Sequence, residues 1–358
     1  MRGMRILHTA DLHLRAAGDE RWQALAAVLD RAESLDVNLV VISGDMFDKS
    51  VEAQRLKPAL REVFAGRPIP VVILPGNHDE KGLRAGDFFH ERVTVLADRT
   101  QPVDFGDVRI VGIPFEDAGA DRVLERLLEA RRLLRDGVTN VLLFHGELLD
   151  LIPEPDAFGE DEGRDYMPVR LSAFSQLGFE YVLAGHFHRN FDVRRFEGGY
   201  FVYPGSPVSI TRRETGRRHA VLVEIGQAPQ PVALDTRHYE EVTVILNPFD
   251  GRNPLDEIRA RIESIHPKAV VRLSLGGFVN AESLGMTEAA FGAEVQALVS
   301  GAHVADVEQR WRDVSEILEH ELFRRFLARL EAGQLPDEER ARVREMMMDA
   351  LMETIHAD

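Results

Sequence analysis

The sequence contains no cysteine. Disulfide bonds and thiolate metal sites are therefore both excluded. A transition-metal site in this chain has to use imidazole, carboxylate and amide ligands. These are donors that Mn²⁺ and similar ions accept.

Long apolar runs are missing as well. None of the hydrophobic stretches approaches the roughly 20 residues that a helix needs to cross a bilayer, so we expect no association with a membrane. The first residues, Met1 to His8, enter a strand pattern at once, and we therefore expect no signal peptide. With 44% hydrophobic and 29% charged residues among 358, the composition is typical of a globular protein with one large and one smaller domain. We expect it to be cytoplasmic.

Positive charge is scarce. The 43 Lys and Arg residues face 60 Asp and Glu, which gives a formal net charge of −17 and argues against unspecific attraction to nucleic acid. A local basic surface stays open, because four arginines fall within seven residues: Arg212, Arg213, Arg217 and Arg218. The simpler interpretation of this group is a solvated surface.

What the sequence does have is a series of short apolar runs that polar side chains follow directly. The runs alternate with helical patterns, which is typical of a β-α-β arrangement with its chemistry at the carboxyl ends of the strands. Further short strands after His188 indicate a second sheet that packs face to face on the first, with helices outside. The predicted division is 1–236 for the main domain, 237–310 for a small α+β domain and 311–358 for a C-terminal helical segment.

Each polar cluster comes just after one apolar run. A lone His in that position is more often a core residue, and a single Asn-His-Asp turn could be only a capped loop. Because the strand ends of one sheet lie along one edge, however, we expect the ligands to converge. Seven N and O donors suit two metals of octahedral preference that share a carboxylate, with Mn²⁺ as the favoured ion. These donors are Asp11, His13, Asp45, Asn77, His145, His186 and His188.

In order, the clusters read D-x-H, GD-x-x-D, GNHD, FHG and GHFH. This series resembles the calcineurin-like metallophosphoesterase superfamily. The opening from Ile6 to Leu14 and the Tyr203–Pro207 turn are similar to the SbcD-like DNA-repair exonucleases. The resemblance covers roughly Met1 to Leu234. It implies an α+β fold, a four-layer α/β/β/α sandwich, with a small α+β capping domain and C-terminal helices.

The resemblance also implies roles. One metal would take Asp11, His13, Asp45 and His188, and the other would take Asp45, Asn77, His145 and His186, so that Asp45 bridges. His78 would give a proton to the leaving oxygen, and Asp79 would hold the other ring nitrogen of His78. The chain departs from the family pattern at Arg15 and Asp48, which are the candidate substrate-binding residues and leave the phosphate contacts in doubt.

Three functions follow from these observations. The first is a Mn²⁺-dependent DNA nuclease that hydrolyses phosphodiester bonds in DNA repair. The second is a phosphodiesterase or phosphatase for small molecules, which the acidic composition favours slightly. The third is a non-catalytic binding protein on the same fold, which the complete ligand set argues against.

Two further segments bear on the partners. The acidic loop from Glu147 to Asp165 follows His145, and we expect it to restrict DNA entry. Two amphipathic helices are predicted at Val314–Leu330 and Asp337–Ile355. They either pack on each other and on the small domain or, as the resemblance implies, bind an SbcC-like coiled-coil ATPase. The sequence leaves a homodimer open.

Overall fold

The computed structural model describes residues 3–151, 166–189, 191–300 and 304–355. The chain divides into two compact units, Met1–Tyr239 and Glu240–Asp358. Within the described ranges, no helix has the length and apolar character that crossing a bilayer requires. The predicted boundaries at 236 and 310 stay a proposal.

The described residues of the first unit form two sheets of six strands each. In the first sheet the order is β12-β11-β1-β2-β3-β4, and β1 to β4 run parallel. Its strands are β1 (Arg5–Thr9), β2 (Leu39–Ser43), β3 (Val71–Leu74), β4 (Val93–Val95), β11 (His219–Glu224) and β12 (Gln230–Ala233).

The second sheet has the order β5-β6-β7-β8-β10-β9, with β6, β7, β8 and β10 parallel. Its strands are β5 (Val103–Phe105), β6 (Val108–Ile113), β7 (Thr139–His145), β8 (Tyr181–Gly185), β9 (Asp192–Phe196) and β10 (Gly199–Tyr203). The strands β5 and β6 pair antiparallel as a hairpin across Gly106-Asp107.

The central strands are apolar on both faces, and the alternation of their side chains separates three hydrophobic layers. In β2, Val40 and Ile42 pack toward helices, whereas Leu39 and Val41 pack between the two sheets. The second sheet does the same through its own helix-facing layer. The predicted α/β/β/α sandwich is confirmed.

Among the residues that the structure describes in this unit, three α-helices cover the outer faces: α1 (Glu20–Ser34), α2 (Ser50–Ala65) and α3 (Ala120–Arg131). Asp19 caps α1, because its side chain accepts the N–H of Trp22 at 2.8 Å. The buried apolar residues of α1 recur at helical spacing: Ala24, Leu25, Val28, Leu29 and Ala32. The core thereby fixes the helix against the first sheet.

The second unit has a four-stranded sheet and five helices among its described residues. The sheet has the order β13-β14-β15, and β16 also pairs with β14. Its strands are β13 (His238–Leu246), β14 (Ala269–Val279), β15 (Val304–Gln309) and β16 (Arg312–Asp313). Two helices pack on this sheet, α4 (Pro254–Glu263) and α5 (Glu288–Ser300).

The C-terminal helices differ from the prediction in two ways. A single helix over Val314–Leu330 is wrong: α6 (Ser315–Glu319) ends at His320, whose extended backbone and ring cap the next helix, α7 (Glu321–Glu331). The apolar stripe expected along Asp337–Ile355 includes Met346 and Leu351; the helix α8 (Asp337–Ile355) does bury Leu351, together with Met348, but leaves Met346 64% exposed. Phe278 and Phe323 share a core with these helices, so the helices do pack within their own unit.

Candidate metal centre

The seven predicted ligands all lie at the carboxyl ends of parallel strands, but these strands belong to two sheets. Asp11, His13, Asp45 and Asn77 follow β1, β2 and β3 of the first sheet, and His145, His186 and His188 follow β7 and β8 of the second. The expectation that one sheet supplies every ligand is therefore wrong. The face-to-face packing brings the two edges together instead.

Six of these side chains form two buried groups that share Asp45. The first group is Asp11, His13, Asp45 and His188, and the second is Asp45, His145 and His186. Within each group the ligand atoms lie within 4.8 Å of one another. Asp45 is 1% exposed, and its Oδ2 atom lies 3.7 Å from His13 Nε2 and 3.4 Å from His145 Nε2.

The seventh residue joins the second group. The Oδ1 atom of Asn77 lies 2.9 Å from His145 Nε2. An amide oxygen in this place suits a hard cation. Each group can therefore offer four donors, with the Asp45 carboxylate common to both.

The donor set fits divalent cations, because several of its lone pairs and negative charges face one another and would repel each other without a cation. Nε2 of His13 faces Nε2 of His188 at 3.1 Å, which brings together two nitrogens that each carry a lone pair when the rings are neutral and protonated on Nδ1. Two carboxyl groups, Asp11 and Asp45, are both fully buried nearby. A cation between these atoms would relieve both conflicts.

Electrostatics at the site act on the same two carboxyl groups in opposite directions. Burial raises the pKa of Asp11 to about 6, although His188 and His145 lower it. Burial also opposes ionisation of Asp45, but His145 and His13 hold the pKa of Asp45 well below its usual range. The two imidazoles thus favour the ionised form of Asp45, which suits a carboxylate shared by two cations.

Four of the candidate ligands have left-handed backbone conformations that L-residues seldom adopt. Their φ angles are positive: Asp11 (55°), His13 (46°), Asp45 (49°) and His186 (98°). Such strain costs about 1–3 kcal/mol at each residue and is common at functional sites. Backbone bonds hold the geometry, because the N–H groups of Asp11 and His13 donate to Gly44 O at 3.0 Å and Asp45 O at 2.9 Å.

Glycine is required where the strand ends approach each other. A Cβ on Gly44 would stand 1.8 Å from His145 Nδ1, and one on Gly76 would stand 2.2 Å from Asp45 Oδ1. Gly44 also has a φ of +98°. The two motifs GD and GN therefore have glycine because a side chain there would displace a ligand.

The structure corrects the role of Asp79. Its buried carboxylate accepts the N–H groups of Met46 at 2.9 Å, Phe47 at 3.0 Å and Gly76 at 3.1 Å. Nδ1 of His78 instead lies 2.6 Å from the main-chain carbonyl of Asp48. The prediction that Asp79 holds the His78 ring is wrong, because its oxygens already organise the loop that follows β2.

Asp48 and Arg15 lie beside the first group of ligands and contact each other. Arg15 Nε is 3.1 Å from Asp48 Oδ2, and Arg21 Nη1 is 2.6 Å from Asp48 Oδ1. Arg21 is 4% exposed and also donates to the carbonyl of His13 at 2.7 Å, whereas the Arg15 side chain is 57% exposed. Asp48 therefore holds the exposed guanidinium group of Arg15 beside the first group of candidate ligands.

Sequence reasoning missed a further buried pair, Glu214 and Arg218. Glu214 is 1% exposed and lies 3.6 Å from Nδ1 of His188. Arg218 is 2% exposed and donates to the carbonyl groups of His188 and Ser206. The prediction of a solvated surface is therefore wrong for Arg218. No local sequence pattern distinguishes Arg218 from its exposed neighbours Arg212 and Arg217.

The acidic loop from Glu147 to Asp165 falls mainly outside the described residues, which resume at Tyr166. Its first part is anchored, because Leu148 forms a β-bridge with Val169 and the N–H of Glu147 donates to Tyr166 O at 2.9 Å. The Tyr166 ring lies 4.8 Å from that of His186. The predicted restriction of DNA entry stays a prediction.

Known proteins resemble part of this chain. The SbcD subunit of the nuclease SbcCD of Staphylococcus saprophyticus is 26% identical over 246 residues, which are 59% of this chain and 63% of that protein. The chain thus spans less than two thirds of that relative's length. Among solved structures, a dimetal phosphatase from Danio rerio is 11% identical, with a TM-score of 0.42 over 65% of this chain and 96% of that one. A protein of Thermus thermophilus is 15% identical, with a TM-score of 0.42 over 64% and 99%.

The family description "calcineurin-like phosphoesterase" matches residues 4–190, which contain all seven donors and both groups that share Asp45. The chain therefore belongs to the calcineurin-like phosphoesterase family and is a metal-dependent phosphoesterase.

Proposed function

We propose that the protein is a DNA nuclease of the SbcD type that hydrolyses phosphodiester bonds with two divalent cations, Mn²⁺ being the favoured ion. The observation that carries the two-cation part is the pair of buried donor groups that share Asp45. The similarity to the SbcD subunit of a bacterial nuclease supports DNA as the substrate. The opening from Ile6 to Leu14 and the turn at Tyr203–Pro207 support the same choice.

The chain's residues divide the work. Asp11, His13, Asp45 and His188 would hold one cation, and Asp45, Asn77, His145 and His186 would hold the other. Two bound cations supply Lewis-acid polarisation of the phosphodiester and an activated water.

His78 is the proposed proton donor to the leaving oxygen. Its Nδ1–H donates to the carbonyl of Asp48 at 2.6 Å, so the proton given to the leaving oxygen is the Nε2 proton of the imidazolium form of the ring. The His78 and His13 rings are 4.8 Å apart, so the donor lies against the first donor group. Asp79 serves the site indirectly by holding the loop that carries Asp45 and Asp48.

Arg15 is the proposed contact to a substrate phosphate. Its guanidinium is exposed while Asp48 fixes one edge of it at 3.1 Å, so the remaining N–H groups can meet an anion. Asp48 then acts by holding Arg15 and does not itself approach the phosphate. Because the chain has a net charge of −17, the positive charge of Arg15 would offset part of the repulsion between the protein and the phosphate backbone of DNA.

Beyond the first unit, we propose that 237–310 forms a capping domain and that the helices in 311–358 bind an SbcC-like coiled-coil ATPase. Leu322 and Met346 support the binding of a partner to these helices, because the two apolar side chains are 51% and 64% exposed although the helices pack within their own unit. Methionine side chains adapt readily to a partner surface. A second copy of the chain is an alternative occupant.

A small-molecule phosphodiesterase or phosphatase is the second candidate, because the net charge of −17 disfavours a polyanionic substrate. Digestion of end-labelled duplex, single-stranded and hairpin DNA, with and without Mn²⁺, separates the two candidates when a chromogenic diester is assayed in parallel. We expect Mn²⁺-dependent cutting of DNA. Hydrolysis of the chromogenic diester with intact DNA would favour the second candidate.

A further inference from the structure

Glu214 lies behind His188, on the side of the ring that faces away from the other donors. Nε2 of His188 lies 3.1 Å from His13 Nε2 and 3.9 Å from Asp11 Oδ1. Nδ1 of the same ring lies 3.6 Å from Glu214 Oε1. The ring therefore has one nitrogen toward the candidate cation and the other toward a buried carboxylate.

Glu214 does not depend on His188 for its position. Its Oε2 atom accepts the N–H of Ile210 at 2.7 Å and the hydroxyl of Ser206 at 2.9 Å. Its Oε1 atom accepts the N–H of Thr211 at 3.2 Å. A carboxylate with this many donors is fixed before the imidazole meets it.

Arg218 supplies the opposite charge and holds the backbone of the same histidine. It donates to the carbonyl of His188, to the carbonyl of Ser206 at 2.9 Å and to the Ser206 hydroxyl at 3.1 Å. Because the Ser206 hydroxyl accepts from Arg218 and donates to Glu214, it links the two buried charges. Arg218 thus holds the main chain of His188, while Glu214 faces Nδ1 of its ring at 3.6 Å.

We propose that Glu214, supported by Ser206 and Arg218, is a positioning residue that sets the orientation and tautomer of His188 and thereby the affinity of the first donor group for a divalent cation. An anion beside Nδ1 favours the proton on that nitrogen, so Nε2 keeps its lone pair for the cation. A partner of this kind changes metal affinity by about 10–100-fold. The proposal rests on the proposed function only through its two-cation centre.

The test compares Glu214→Gln with Glu180→Gln in the full-length protein. Glu180 is a matched control, because its carboxylate accepts the N–H of Asn140 at 2.6 Å near the start of β7, far along the strands from the donors. Free Mn²⁺ is followed by electron paramagnetic resonance as the metal-free protein is titrated. We expect Glu214→Gln to weaken one of two Mn²⁺ ions by about 10–100-fold and to leave the other nearly unchanged, whereas Glu180→Gln binds both as the wild type does.

Two results would overturn the proposal: unchanged binding of both ions with only a lower melting temperature, or equal weakening of both ions. If Glu214→Gln does not fold, Glu214→Asp takes its place, since it keeps the anion but withdraws it. Glu214→Asp is then expected to bind the same single ion more weakly, and wild-type binding would contradict us. Because the readout is Mn²⁺ binding, a wild-type protein that fails to cut DNA would refute the proposed substrate and leave this proposal intact.

Discussion

The Nδ1 atom of His78 lies 2.6 Å from the main-chain carbonyl oxygen of Asp48. A carbonyl oxygen only accepts, so the proton of the neutral ring is on Nδ1. The N–H of His78 in turn donates to Asp45 Oδ1 at 2.9 Å. The backbone of His78 thus contacts a metal ligand, while its ring is oriented by a group that no side-chain substitution can remove.

We expect His78→Ala to retain two Mn²⁺ ions and to lose about 10²–10⁴-fold in the rate of phosphodiester cleavage, the contribution typical of general acid catalysis. The ring is absent from the donor groups, and the main-chain bond to Asp45 survives the substitution. Single-turnover cleavage and Mn²⁺ stoichiometry are measured together. Asp45→Ala is the contrast, since it removes the shared carboxylate and should lose both ions; a His78→Ala protein without metal would refute the division between ligand and proton donor.

Arg15→Ala should raise the KM for DNA by about tenfold while kcat and Mn²⁺ binding stay near the wild-type values, because the side chain is exposed and contacts the carboxylate of Asp48. One decade corresponds to about 1.4 kcal/mol. Arg109→Ala is the control: Arg109 makes a similar pair with Asp104 at 2.8 Å at the start of β6, whereas the candidate ligands of that second sheet lie at the carboxyl ends of its strands. An equal rise in KM for both variants would point to overall charge.

His8→Leu should make the protein less sensitive to acid. His8 is fully buried, neither of its ring nitrogens has a hydrogen-bond partner in the described part of the chain, and burial lowers the pKa of His8 to about 3. The unfolded chain takes up a proton below its ordinary pKa of 6.5 and the folded chain does not, so this residue costs stability as the pH falls from 6.5 toward 3.

Leucine has a similar volume and no polar atom. The free energy of unfolding of the wild type should therefore fall relative to His8→Leu by about 1.4 kcal/mol for each pH unit in this window. Urea denaturation of the metal-free proteins between pH 7 and pH 4 measures the difference. If the free energies of unfolding of the two proteins changed with pH in parallel, His8 would have the same pKa in the folded and unfolded states, which would contradict the prediction.

For the C-terminal helices, we expect Leu322→Glu combined with Met346→Glu to weaken association with an SbcC-like ATPase by about 2 kcal/mol or more. Both side chains are exposed, so the melting temperature should hardly change. Phe323→Ala is the opposite case, because Phe323 is fully buried and its truncation should cost about 3–5 kcal/mol of stability. Co-purification from co-expressing cells and thermal unfolding separate the two effects; full-strength association of the double variant would argue against this surface.

The candidate ligands were predictable because each one follows a short apolar run, and the local pattern alone marks the end of a buried strand. Glu214 gave no such signal: it lies in a polar turn, and only the packing of that turn behind His188 makes it part of the centre. The partner of Asp79 is not predictable from its position, because sequence neighbours such as His78 and Asp79 need not face each other. The direction of a side chain is set by the turn, where the carboxylate meets three N–H groups.

The same limit applies at the C-terminus. Two apolar stripes were predictable from helical spacing, but which side of α8 is covered depends on Phe278 and Phe249, which lie in other elements of the unit. The break at His320 was also hidden, because helix-forming residues flank it on both sides. Periodicity shows that a helix has an apolar face, whereas its exact angular position depends on the neighbours.

Because each sheet of the first unit carries only part of the donor set, neither sheet can form a complete cation site while the chain is still folding. Asp45 comes from one sheet and His145 from the other, and their side chains meet only after the apolar layer between the sheets has closed. Cations that bind the native chain but not its separate halves leave the early folding steps unchanged and slow the unfolding of the finished protein. Metal ions would thus bind only once both sheets have packed together, and they would stabilise the protein by slowing its unfolding.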